Sequence, residues 1–108
     1  MFEVRISKGA ESDLETLHNY IAANRSDAEA DELLDGILDK IITFETFPLR
    51  GPICPELDRL GIQEFRQIYH GPYRLIYRVN DKIAYIMIIA DSRRNMKALL
   101  ERRLLGKG

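Results

Sequence analysis

The residues most suited to chemistry lie in Gly71-Pro72-Tyr73-Arg74-Leu75-Ile76-Tyr77-Arg78-Val79, a turn leading into a stretch that alternates large apolar side chains with arginine. Successive side chains of an extended strand point to opposite faces. This spacing therefore predicts Tyr73, Leu75, Tyr77 and Val79 packed inward and Arg74, Ile76 and Arg78 pointing outward. The guanidinium fork matches phosphate or carboxylate, which makes the outward face a candidate anion-binding surface. Arg66 upstream and the adjacent Arg93-Arg94 pair downstream extend the set. Arginine stays protonated and is a poor general base, so bond cleavage at such a surface needs another residue to move protons. His70, just before Gly71-Pro72, is the one at hand. A histidine in a turn is more commonly structural or solvated.

Other reactive residue types form no constellation. His18 stands beside Leu17 in an apolar-periodic stretch, where packing or a surface position is expected. Neither histidine has a second histidine or paired cysteines at ligand spacing, so no metal or other cofactor is implied. No Ser, Cys or Asp stands with a positioned base as a nucleophile would. Tyr69, Tyr73, Tyr77 and Tyr85 have faces able to stack on bases, yet tyrosines at strand spacing more often fill the core or its rim. The lone cysteine, Cys54, lies between Pro52 and Pro55 in an expected loop and cannot close an intrachain disulfide. A reducing cytoplasm is the expectation.

The elements that must position these residues are legible as periodicities. Phe2 to Ile6 alternates as a short strand, with Glu3 and Arg5 outward. Ser7 is placed to cap a helix in which Ala10, Leu14, Leu17 and Ile21 recur at helical spacing, ending near Asn24. Ser26 followed by Glu29 matches a capping box, in which each side chain satisfies a free backbone donor of the other residue. The helix it opens carries Ala30, Leu34, Ile37, Ile41 and Phe44 on one stripe and stops at Pro48. Leu33, Leu38 and Ile42 widen the stripe, so this helix is expected to pack on both the first helix and a sheet. Prolines and glycines between Phe47 and Gly61 mark a long ordered loop. Ile62 to Tyr69, Tyr73 to Val79 and Lys82 to Ala90 follow as strands whose short connections imply an antiparallel meander. Asn95 opens a last helix with Met96, Leu99, Leu100 and Arg103 on one face, before a Gly106-Lys107-Gly108 tail expected to fray. The fold class is α+β: an N-terminal strand, an antiparallel helical hairpin on an antiparallel sheet, and a short C-terminal helix.

With 108 residues, 45% of them hydrophobic, the chain has material for one core, and a single domain over 1–108 is expected. The first residues, holding Glu3 and Arg5, are not the apolar run of a secretory segment, and Ile83 to Ala90 is too short to span a bilayer. No membrane role is expected. The net charge of -1 conceals an asymmetry: residues 1–60 hold 6 Lys and Arg against 13 Asp and Glu, residues 61–108 hold 10 against 4. A basic surface built from the C-terminal part suits an acidic partner, while the acidic helices read as solvated faces.

Taken in order, Val4-Arg5-Ile6-Ser7, Tyr20-Ile21-Ala22, Phe47-Pro48 with Gly51, Pro55-Glu56-Leu57, Glu64-Phe65-Arg66, Gly71 to Val79 and Ser92-Arg93-Arg94 resemble the RelE/ParE superfamily of type II toxin-antitoxin toxins over nearly the whole chain. The resemblance implies one of two activities. RelE-like members cut messenger RNA in the ribosome; ParE-like members poison DNA gyrase. Arg74 and Arg93 fall where RelE-like toxins hold the scissile phosphate, and with His70 they make the set a nuclease would use. The lysines those nucleases place on the preceding strand, and their late tyrosine or histidine, are missing: Phe65, Arg66 and Gln67 stand there, and nothing after Tyr85 is aromatic or histidine. A sequence pI near 6.1 also gives little reserve for a broad ribosomal RNA surface. The resemblance thus points to the ParE-like branch: a growth-inhibiting, plasmid-stabilising type of toxin, acting on gyrase and neutralised by a cognate antitoxin protein, through which alone it would meet DNA. A ribosome-dependent nuclease and an inactive binding module are the alternatives. Arg66, Arg74, Arg78, Arg93 and Arg94 are the expected target-binding residues. Leu33, Ile37, Ile41, Arg74 and Arg78 are the expected antitoxin-binding ones.

Overall fold

The computed structural model describes residues 1–106. Strand β1 (Glu3–Ile6) leads into helix α1 (Lys8–Asn24), helix α2 (Asp27–Ile42) and a 3-10 turn at Thr43–Glu45. A four-residue helix, α3 (Pro55–Asp58), precedes β2 (Phe65–His70), β3 (Tyr73–Asn80), β4 (Ile83–Asp91) and α4 (Met96–Leu105). The sheet order is β1-β4-β3-β2: the last three strands form the antiparallel meander, and β1 joins it parallel to β4. The fold is α+β with a mixed, mostly antiparallel sheet.

Local chemistry sets the boundaries. The Ser7 hydroxyl accepts the Ala10 N–H at 3.1 Å and fixes the start of α1, and the Ser26 hydroxyl accepts the Glu29 N–H at 3.0 Å at the start of α2. Only that half of the expected capping box forms; the Glu29 carboxylate instead lies 3.7 Å from Arg25 Nε. α2 ends six residues before Pro48, and Phe44, the last member of its stripe, is buried from the 3-10 turn instead. The β3–β4 turn places Asp81 and Lys82 at φ 51 and 64, the doubly left-handed geometry that suits the sheet's twist. Gly106 closes α4 at φ 69; Lys107 and Gly108, expected to fray, lie outside the described residues.

Both faces of the sheet are covered, and this corrects the outward orientation expected for Ile76 and Arg74. α1 and α2 bury Leu14, Ile37, Ile41, Leu75, Tyr77 and Ile86 in one core. On the other face α3 and α4 bury Cys54, Leu57, Phe65, Ile76, Ile88, Met96, Leu99 and Leu100 in a second. The strand parity was legible; the second covering layer was not, because α3 sits inside what reads as a proline loop. A bulge serves both layers: Tyr77 pairs with Ile86 while Ile76 pairs with Ile88, so Met87 is the extra residue and β4 changes face around it. The loop between Phe47 and α3 is locked to the outer edge of β2, where Cys54 N–H donates to Phe65 O at 2.8 Å and Gln67 N–H to Pro52 O at 3.0 Å.

Candidate functional site

Arg74 leaves β3 on the α3 side of the sheet and is only 4% exposed. Pro55 starts α3 and brings Glu56 across from it, so that Arg74 Nη1 and Nη2 donate to the two Glu56 carboxylate oxygens at 2.7 and 2.8 Å. Arg74 Nη2 also donates to Gln67 Oε1 of β2 and lies 3.6 Å from Cys54 Sγ, and the Tyr69 ring stands 5.9 Å away. The guanidinium holds the Glu56 carboxyl at about 2, well below the usual carboxylate range, while burial pushes the Cys54 thiol up. The anion on the central-strand arginine is therefore the chain's own carboxylate. That corrects the expectation of an open arginine face at this position.

The other sequence candidates are dispersed around this clamp. Arg66 is half-buried and donates to Gly51 O at 2.7 Å, so it anchors the proline loop. Arg78 shares the Arg74 face but stays partly exposed, 3.6 Å from Glu64 and 5.7 Å from the Tyr85 ring centre. Arg93 and Arg94 follow β4 in a turn and are both exposed; Arg93 Nε and its backbone N–H donate to Asp91 Oδ1, each at 2.9 Å, and hold the Asp91 carboxyl at about 2. His70 points to the opposite face of the sheet from Arg74, since Tyr69 and His70 alternate. Its ring packs against α2, where a Cβ on Gly36 would meet it at 2.6 Å. The trio Arg74, Arg93 and His70 is thus not brought together.

The expected antitoxin stripe also changes meaning. Ile37 is fully buried and Ile41 is 3% exposed, both against the sheet, and Leu33 is half-buried beside them. Ile37 and Ile41 face the chain's own core and offer a partner no open surface, whereas Leu33 stays partly exposed. Tyr77 is a core residue as well, stacked on Phe44 at 4.0 Å and accepting the Gly51 N–H at 3.0 Å, whereas Tyr69 is exposed. His18 bonds Asp31 at 2.8 Å and links the two hairpin helices.

Sequence reasoning missed two pairings. Glu56 is the nearest acid after Cys54-Pro55, but nothing in its spacing tells that α3 folds over Arg74. Asp13 accepts from Arg103 at 3.0 and 3.1 Å and from Ile89 N–H at 3.0 Å, joining α1, α4 and β4 across the chain. Among the described residues no group of three or more His, Cys, Asp or Glu is arranged to hold a metal ion. A groove of about 970 Å³ lies between the second half of α1 and the C-terminal end of β4. What the site can do chemically follows. The clamped Glu56 is too weak a base to take a hydroxyl proton, and the exposed Arg93-Arg94 turn can pair with carboxylates or phosphates brought to it.

The comparisons with known proteins agree with this architecture. A family profile described as ParE toxin of type II toxin-antitoxin system, parDE, matches residues 4–96. The chromosomal ParDE toxin-antitoxin system from P. aeruginosa contains a chain similar in fold, with TM-score 0.71 and 16% identity, covering 84% of this chain and 96% of that one. The toxin-antitoxin complex RelBE2 from Mycobacterium tuberculosis contains another, with TM-score 0.58 and 23% identity, covering 83% and 96%. No curated protein matches the sequence.

Proposed function

We propose that this chain, which belongs to the ParE toxin family of type II toxin-antitoxin systems, arrests growth by inhibiting DNA gyrase and is neutralised by binding a cognate antitoxin. One observation carries the choice of gyrase over messenger RNA: the arginine that a ribosome-dependent nuclease would use for the scissile phosphate is closed by Glu56 at 2.7 and 2.8 Å, and His70 lies on the other side of the sheet. Phosphate binding there would have to displace a bidentate, buried ion pair. A positioned acid or base contributes roughly a hundredfold to ten-thousandfold in rate, and the groups beside Arg74 are the clamped Glu56 carboxylate, the buried Cys54 thiol and the Tyr69 phenol, with no lysine or histidine among them. The antitoxin partner is supported by the family and by fold neighbours named as toxin-antitoxin assemblies.

Expression in bacterial cells tests the reading. The expected outcome is growth arrest with a raised DNA-damage response and filamentation, while messages on ribosomes stay uncut at their A-site codons. Codon-specific cleavage of ribosome-bound messages, abolished by His70→Ala, would overturn the gyrase reading in favour of the nuclease.

A further inference from the structure

The stretch between α2 and α3 carries an apolar tip that the fold holds rigid and then leaves in water. Phe47 and Leu49 flank the buried Pro48 and are 65% and 60% exposed. Lone exposed apolar residues are ordinary on a protein surface, but two in one fixed turn call for a reason. Hydrogen bonds fix the turn on both sides. Phe47 N–H donates to Thr43 O at 2.9 Å, Arg50 N–H to Phe47 O at 3.3 Å and Arg50 Nη1 to Thr43 Oγ1 at 2.7 Å. Just beyond, Gly51 N–H donates to the core Tyr77 hydroxyl at 3.0 Å and Arg66 Nη1 to Gly51 O at 2.7 Å. Pro48, second in the turn, presets its backbone as well.

Charge and shape select the occupant. Arg50 and Arg66 flank the tip, their guanidinium groups bonded to a hydroxyl and to carbonyl oxygens, and neither takes part in the ion pairs among the described residues. Glu45, the acid of the preceding 3-10 turn, pairs with neither. The tip therefore offers unspent positive charge beside apolar surface. A convex, preordered turn complements a pocket on a folded partner, whereas a segment that folds on binding needs a groove or a strand edge to lie on. The partner so selected is a folded protein with an apolar pocket rimmed by carboxylates.

We infer that the tip at residues 47–49 is the surface through which the chain engages its target protein, gyrase, with Phe47 and Leu49 inserted in a pocket and Arg50 and Arg66 against carboxylates at its rim. The inference rests on the gyrase reading. It moves the target contact from the expected arginine set to a loop and keeps only Arg66 from that set. Preordering removes the entropy cost of fixing the loop at binding, apolar anchors in a desolvated pocket slow dissociation, and the arginines speed encounter.

The test uses the full chain with purified gyrase and relaxed plasmid. It compares wild type with Phe47→Ser, Leu49→Ser, Arg50→Glu and, as an exposed apolar control elsewhere, Leu60→Ala. The concentration giving half-maximal inhibition of supercoiling is expected to rise about tenfold or more for each tip variant and to change little for the control. A second readout uses Leu49→Cys. Cys54 is buried, so the introduced thiol is the accessible one, and its labelling by a maleimide should be blocked in the gyrase complex. Urea denaturation reports whether each variant is folded; should Phe47→Ser or Arg50→Glu not fold, Leu49→Ser and the labelling decide alone. Tip variants that inhibit as wild type does, or a Leu49→Cys thiol that stays reactive in the complex, overturn the tip and leave the gyrase reading intact. Wild-type chain that leaves supercoiling undisturbed overturns both.

Discussion

Arg74 and Glu56 leave water together, and the desolvation this costs is offset only because the fork meets both carboxylate oxygens and Gln67 takes a further donor. Removing one partner strands the other. Arg74→Ala is therefore expected to destabilise the fold by about 3–5 kcal/mol, measured by urea denaturation. A loss under about 1 kcal/mol would show that the pair is not a clamp. The pH dependence follows from the same geometry. Glu56 ionises at about 2 in the folded chain against an ordinary 4.5, so its contribution is fully present above pH 4.5 and is lost as pH falls toward 2. That contribution is on the order of 3 kcal/mol. Asp91 titrates in the same window, so the readout is the difference between wild type and Glu56→Gln. Wild-type stability should fall more steeply between pH 4.5 and 2 than that of the variant, and equal slopes would refute the assignment.

At the scale of elements, the proline loop is held as tightly as a strand. A Cβ on Gly51 would lie 2.3 Å from the Gln67 carbonyl oxygen and 2.9 Å from the Tyr77 hydroxyl, and backbone cannot step aside as a long side chain can. Gly51→Ala should lower stability by roughly 2 kcal/mol or more, through the close contact and the strained Gly51 to Tyr77 bond. A thermal melt unchanged from wild type would contradict this. The β3–β4 turn offers the opposite sign. Asp81 and Lys82 both sit at positive φ, where L residues with a Cβ are disfavoured. Replacing them by Asn-Gly should stabilise by about 1 kcal/mol, read as a raised melting temperature. These two sites also mark what was legible. Periodicity identified both long helices, the meander and the Ser7 and Ser26 caps, because each rests on local spacing. It did not reveal α3, whose four residues have no repeat to detect, nor the Met87 bulge, which only pairing with β3 defines. The expected arginine face failed for the same reason: residue parity is local, whereas the layer covering Arg74 comes from 18 positions upstream.

Across the whole molecule, the charge asymmetry of the sequence becomes a spatial one. The acidic residues lie mainly along the hairpin helices, and the exposed Arg93 and Arg94 after β4 and Arg25 after α1 line the groove. This leaves the chain with an exposed basic turn after β4 and a closed central arginine, an arrangement that supports the proposed protein target more than the cutting of a phosphodiester. No helix among the described residues is long and apolar enough to cross a membrane. The central claim is a choice of target, and purified gyrase with relaxed plasmid tests it most directly. Added to that reaction with ATP, the chain is predicted to suppress supercoiling and leave linear or cleaved plasmid, while the same preparation leaves messages on purified ribosomes intact. Undisturbed supercoiling together with A-site cleavage of those messages would contradict the account.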